Sequence, residues 1–120
     1  MQYVYVLATD EKDLFLEQAL LSITSLRLKI KNADVTVLID DISANTLINT
    51  RAEIYNAAKI TALKLPESLN KEQRSRWLKT SMRRHIKGDF LYIDCDTIIA
   101  DDLLDITPPP QQYNYCRRSR

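Results

Sequence analysis

A single glycine, Gly88, stands among the 120 residues. That scarcity bears on two large classes of nucleotide-binding protein. Both the dinucleotide fingerprint and the phosphate-binding P-loop need at least two glycines within a few residues, so that backbone can approach phosphate closely. Neither class fits this chain. Cysteine is scarce too: Cys95 and Cys116 lie far apart, and neither has a second Cys or a His at metal-ligand spacing. Zinc binding and C-x-x-C redox chemistry are therefore unsupported, and a reducing compartment is expected. No stretch approaches the ~18 consecutive apolar residues of a membrane span, and the opening MQYVYVLATD has neither a basic n-region nor a small-residue cleavage site. The expectation is a chain without signal peptide or transmembrane segment. Charge of one sign is also lacking: 17 Lys+Arg against 16 Asp+Glu leave +1, which gives no global electrostatic reason to bind nucleic acid or an anionic membrane.

What is present is an ordinary globular composition, 45% apolar and 28% charged, of a length for one domain at most. Tyr3 to Ala8 reads as a buried strand, ending at Thr9-Asp10 as a helix N-cap. From Asp13 to Ile30, apolar residues at Leu16, Ala19 or Leu20, Ile23, Leu26 and Ile30 recur at helical spacing. DVTVLID (34–40) is a second strand. A helix capped by Ser43 or Asn45 is expected after it, burying Leu47, Ile48, Ile54, Tyr55 and Ala58. Lys59 to Leu65 gives a third strand, stopped by Pro66. Lys71 to Lys87 gives a helix closed at Gly88, and Asp89 to Ile99 the most apolar strand. The order βαβαβαβ predicts an α/β fold, a mostly parallel Rossmann-like sheet with helices on both faces, over residues 1–106. The remainder, 107–120, has three consecutive prolines and no apolar period, and reads as a disordered tail.

Ligands of such sheets sit beyond the carboxyl ends of the strands. Asp10, Asp40, Asp41, Asp94 and Asp96 all fall at that edge. In an extended strand Asp94 and Asp96 point the same way, roughly 7 Å apart, with Cys95 opposite. Two carboxylates so close repel one another unless a divalent cation joins them, and oxygen-only ligands favour Mg²⁺ or Mn²⁺, ions that keep sites for water and phosphate. The alternative is that these aspartates only end a strand or cap a helix. The preceding helix carries seven Lys+Arg and one Glu, whereas Asp89 to Asp105 carries six Asp and no basic residue. Arg76, Lys79 and Arg83 make one stripe of that helix, against an apolar one of Leu78, Met82 and His85 or Ile86. A basic stripe leading into an acidic rim suits a phosphorylated, metal-bound substrate; a merely solvated basic face is the plainer reading. His85, Trp77 and Tyr55 read first as packing residues, and Cys95 as a small buried side chain.

YVYVLATD, VTVLIDDIS, RSRWLKTSMRRHIKGD and above all FLYIDCDTIIADDLLDI resemble the N-terminal, nucleotide-sugar-binding half of bacterial GT-A glycosyltransferases, nearest those that add hexoses to lipopolysaccharide-like acceptors. The resemblance covers residues 1 to about 106. It implies that Asp94 and Asp96 hold Mn²⁺ or Mg²⁺ against the diphosphate of a nucleoside-diphosphate sugar, UDP-hexose being the expected donor. It further implies that Ala8, Thr9 and Asp10 meet base and ribose, that Asp40 lies at the donor site, and that Arg76 and Lys79 meet the diphosphate or sugar. A saccharide or lipid-linked acceptor and a cytoplasmic location, at the cytosolic face of a membrane, go with it. Complete members are longer, and their further half supplies the acceptor pocket and commonly a third metal ligand. The chain thus reads as a truncated enzyme that binds donor but transfers no sugar alone.

Three rivals stand beside this reading. A non-catalytic remnant or binding module is one. A haloacid dehalogenase-like phosphatase also ends a strand in D-x-D, with a nucleophile and a general acid beside Mg²⁺. Its pattern wants Gly and then Thr or Val after the second Asp, where this chain has Thr97 and Ile98. Nucleic-acid binding through Arg74 to Lys87 is weakened by the aspartates directly downstream and by one aromatic in the helix, so no nucleic-acid partner is expected.

Overall fold

The computed structural model describes residues 1–99 and the strand at 113–116. In chain order come β1 (Gln2–Leu7), α1 (Phe15–Lys29), β2 (Asp34–Asp40), the short α2 (Asp41–Ala44), a 3-10 turn (Asn49–Glu53) and the short α3 (Ile54–Ala57). β3 (Lys59–Leu63), α4 (Lys71–His85), β4 (Phe90–Ile93) and β5 (Tyr113–Cys116) follow. The sheet has the order β3-β2-β1-β4-β5, with the first four strands parallel and β5 antiparallel to β4. This is the expected α/β architecture.

Two apolar layers follow from the period of two along each strand. Tyr3, Tyr5 and Leu7 of β1, with Val35, Val37 and Ile39 of β2 and Leu91 and Ile93 of β4, pack against Leu16, Ile23 and Leu26 of α1. The alternate residues Val4, Val6, Leu38, Phe90 and Tyr92 face Leu78, Met82 and Ile86 at α4. The two faces are covered by different helices because the chain reverses its course. It moves outward from β1 to β2 to β3 and then crosses back to β4 on the other side of β1, and a right-handed crossover in the opposite direction lies over the opposite face. β1 and β4 are thus neighbours whose crossovers run apart, which opens a crevice at their carboxyl ends.

α4 is the element that matters most for the site. It starts at a capping box: the Gln73 backbone N–H donates to Asn70 Oδ1 at 2.8 Å, and the Asn70 N–H donates to Gln73 Oε1 at 2.9 Å. Its apolar residues Leu78, Met82 and Ile86 recur every four positions and are all buried. After the helix, Gly88 adopts φ +83°, a left-handed conformation that glycine takes without steric cost.

Several elements differ from the sequence reading. The helix expected after β2 is broken into α2, a 3-10 turn and α3, with Asn49 at φ +56° between them; Asn and Thr side chains in NTLINT favour turns over a continuous helix. Asp40, not Ser43 or Asn45, caps α2, by accepting from the Ser43 N–H at 3.0 Å. Ile48 and Tyr55 are exposed, while Leu47 and Ile54 are buried. α1 begins at Phe15, so Thr9-Asp10 is not its N-cap. His85 is exposed, and Ile86 fills the apolar position that the two shared. Tyr113–Cys116 pairs with Phe90–Ile93, so these four residues stand in the sheet rather than in a disordered tail. The rest of 107–120, with Ala100 to Ile106, lies outside the described residues. Among the described residues no helix is long and apolar enough to cross a membrane.

Candidate functional site

The crevice between the carboxyl ends of β1 and β4 is a cavity of about 580 Å³. Val6, Leu7 and Ala8 form its floor; Asp94, Cys95 and Asp96 form one rim; Lys71, Glu72, Ser75, Arg76 and Lys79 form the α4 wall; and Phe15 and Gln18 reach in from α1. Two carboxylates at the strand end stand opposite three cations and one carboxylate, Glu72, on the helix. A cavity of this size suits a small-molecule ligand, and the switch point of a doubly wound sheet is where such ligands bind.

Asp94 and Asp96 reach this rim by a route other than the expected one. β4 ends at Ile93, and residues 94–97 form a turn closed by the Thr97 N–H donating to Asp94 O at 3.0 Å. The strict alternation assumed for an extended D-x-D therefore does not apply, and Cys95 lines the cavity together with its neighbours. The Cys95 Sγ donates to Val6 O at 3.2 Å, and burial, with the two neighbouring carboxylates, pushes its thiol up to about 12. It remains a neutral thiol that ties the turn to β1. Asp94 is half-buried and accepts a hydrogen bond from the Tyr92 hydroxyl at 2.6 Å, while Asp96 is exposed.

Ala8, Arg76, Lys79, Asp94 and Asp96 share the cavity. Four other residues singled out from the sequence, Thr9, Asp10, Asp40 and Asp41, do not line it. Asp40 is fully buried; it accepts from the Ser43 N–H and hydroxyl and forms an ion pair with Arg74 Nε at 2.9 Å, so its carboxylate is committed to holding α2 and α4. That Nε makes no hydrogen bond of good direction, so the contact counts as a charge pair alone. Thr9 is also fully buried: its N–H donates to Ser43 Oγ at 2.8 Å, and its hydroxyl donates to Asp13 Oδ1 at 2.6 Å. Asp10 lies in a smaller depression of about 270 Å³ with Glu11, Lys12 and Thr46. Asp41 accepts from the Leu65 N–H at 3.3 Å.

The strand end instead organises itself around Lys71, whose ammonium lies 3.1 Å from Asp10 Oδ2 and 2.8 Å from Asp13 Oδ2, and 5.3 Å from the centre of the Phe15 ring. Burial disfavours the Asp13 carboxylate, but hydrogen bonds from Lys71, Thr9 and the N–H groups of Asp10 and Phe15 outweigh it and hold its pKa at about 2. The Lys12 N–H, and then Lys71, lower Asp10; the two carboxylates in turn raise Lys71. This clasp joins the loop after β1 to the start of α4. Lys71 escaped the sequence reading although it lies on the stripe Lys71-Ser75-Lys79 at intervals of four, a signal that was there to be used. Phe15 and Gln18 carried no such signal, because their place follows from how α1 docks.

Among the described residues no three His, Cys, Asp or Glu side chains gather as a metal-ligand set. Asp94 and Asp96 offer a two-carboxylate, oxygen-only donor pair at an open rim. That fits a hard divalent cation which keeps water and substrate oxygens in its remaining positions, as Mg²⁺ commonly does.

No family model matches the chain, and no curated protein matches it either. Among solved structures it is similar to the mannosyltransferase PcManGT from Pyrobaculum calidifontis, in complex with GDP-Man and Mn²⁺, at 17% identity and a TM-score of 0.47. The match covers 82% of this chain and 28% of that one, so the chain spans well under half of that protein's length.

Proposed function

We propose that the cavity between β1 and β4 binds a nucleoside-diphosphate sugar, with UDP-hexose as the donor, together with Mn²⁺ or Mg²⁺ at Asp94 and Asp96. On this reading the chain is the donor-binding part of a GT-A type glycosyltransferase acting on a saccharide or lipid-linked acceptor. The observation that carries it is the opposition, across one switch-point cavity, of two carboxylates and the cations of α4. A diphosphate is an anion that needs both: ammonium and guanidinium groups on one side, and a carboxylate-held divalent cation on the other. Lys79 and Arg76 would bind its oxygens. Ala8 at the floor lets the backbone end of β1 come close to the nucleoside, and the half-exposed Phe15 ring offers it an aromatic face. Lys71, engaged by Asp10 and Asp13, fixes the wall on which Ser75, Arg76 and Lys79 stand. When bound, the cation offsets the charge that develops on a departing nucleoside diphosphate.

Isothermal titration with Mn²⁺, and then with UDP-hexose in its presence, tests the reading. Mn²⁺ is expected to bind, the nucleotide sugar to raise its affinity, and the double substitution Asp94→Ala, Asp96→Ala to abolish both effects. Unchanged Mn²⁺ binding by the double variant would refute the site.

A further inference from the structure

We infer that Tyr92 is a positioning residue for this cavity: its hydroxyl holds the Asp94 carboxylate at the rim, turned away from pairing with the Lys79 ammonium that lies over its ring face. A carboxylate and an ammonium can then share one cavity without neutralising each other. The inference rests on the reading of Asp94 and Asp96 as cation ligands.

Tyr92 is buried on the α4 side of β4, among Val4, Val6, Leu78, Met82 and Phe90. Its hydroxyl donates to Asp94 Oδ1 at 2.6 Å, and the Lys79 Nζ lies 6.0 Å from its ring centre. The phenol thus carries a cation on its face and an anion on its edge. The Asp94 backbone is fixed by the turn to Thr97, which leaves mainly side-chain torsions free, and the Tyr92 hydroxyl removes that freedom. One oxygen of Asp94 is taken, and the other is left for a cation.

Lys71, which also stands over an aromatic ring, shows the other outcome on the same wall. Its ammonium closes on Asp10 and Asp13 and is occupied by them. Lys79, by contrast, forms no ion pair among the described residues, although Asp94 and Asp96 line the same cavity. The physical difference is the direction of the restraint: their own donors hold Asp10 and Asp13 where they meet Lys71, whereas the Tyr92 hydroxyl holds Asp94 where it makes no pair with Lys79. An Asp94 free to rotate gains Coulomb energy by swinging toward Lys79, and that internal pair competes directly with an incoming cation on one side and an incoming phosphate on the other. Hydrogen-bond donors that orient ligating carboxylates commonly matter 10- to 100-fold in metal affinity.

Tyr92→Phe keeps the ring, its packing and the Lys79 contact, and removes only the hydroxyl. Wild type, Tyr92→Phe and Tyr92→Phe with Lys79→Met are titrated with Mn²⁺ alone, followed by the loss of the free-ion electron paramagnetic resonance signal, beside thermal melts. Tyr92→Phe is expected to melt close to wild type and to bind Mn²⁺ about tenfold more weakly. Removing Lys79 in that background is expected to recover part of the loss, since the competing cation is gone. Equal Mn²⁺ affinity in wild type and Tyr92→Phe overturns the inference and leaves the metal site standing; absence of wild-type binding overturns both. No recovery on removing Lys79 overturns the claim that an Asp94 released from the hydroxyl turns toward Lys79. If Tyr92→Phe fails to fold, paramagnetic broadening by Mn²⁺ in the wild type decides. Tyr92 ring signals broadened ahead of those of Tyr3, Tyr5 and Tyr55 are expected, and any other order overturns the placement.

Discussion

Arg74 carries a charge into the layer between α4 and the sheet, and its replacement by Met tests how α4 is held. Its side chain is only 10% exposed, and Asp40 opposite it is fully buried. At 2.9 Å, with an effective dielectric constant of ~20, the pair attracts by roughly 6 kcal/mol before the cost of removing both groups from water is counted. Breaking such a pair by removing one partner costs about 3–5 kcal/mol, because the other charge is left buried. Asp40 still accepts the N–H and hydroxyl of Ser43, which puts the expected loss for Arg74→Met near the lower end, about 3 kcal/mol. That is a large share of the ~5–15 kcal/mol that stabilises an ordinary domain. Urea unfolding at neutral pH, followed by circular dichroism, measures it. The double variant Asp40→Asn, Arg74→Met removes the orphaned charge and is expected to regain part of the loss, since the Asn side-chain oxygen still caps α2. A loss below about 1 kcal/mol for Arg74→Met would mean that the pair is hydrated and that α4 is held by its apolar stripe alone.

Leu78, fully buried between α4 and the sheet, is expected to cost about 2–5 kcal/mol on truncation to Ala, read by the same unfolding curves; a loss under 1 kcal/mol would show that the α4 layer is loosely packed. Asp13 has a depressed pKa in the folded state, so its stabilising contribution is present above its ordinary value and is lost as pH falls from about 4 toward about 2. Wild type is therefore expected to lose melting temperature over that interval more steeply than Asp13→Asn. Parallel curves would count against the Lys71 clasp.

The layered sheet was legible because three of its four parallel strands announce themselves as short β-branched runs, and because α1 and α4 have clear apolar stripes. Less legible was everything that depends on where a strand stops. FLYIDCDTII reads as one long strand by composition, yet pairing with β1 reaches only Tyr92 and the chain then turns at Asp94. Asp10, Asp40, Asp94 and Asp96 look equivalent in the sequence, each an aspartate at a strand end. The fold separates them by burial and by nearby donors: Arg74 and Ser43 take Asp40, Lys71 takes Asp10, and Asp94 and Asp96 remain at the cavity. Ser43 lies only three residues from Asp40, but Arg74 and Lys71 lie far away in the chain, where no local pattern could have shown them.

β1 and β4 meet in register over Gln2–Val4 and Phe90–Tyr92, whereas β1 and β2 are matched along Gln2–Leu7. The strands that bound the cavity are also those whose union closes the longest loop among the parallel pairs, and the loss of chain entropy on closing a loop grows with its length. Assembly of β1, α1, β2 and β3 can proceed through nearer contacts, and β4 is expected to join them later, bringing Asp94 and Asp96 opposite α4. On that order the cavity forms only once β4 has joined β1, and it is lost when β4 detaches. Any ligand that bridges the α4 wall and the strand end acts as a tether across that junction, and stabilises it the more, the further its concentration exceeds its dissociation constant.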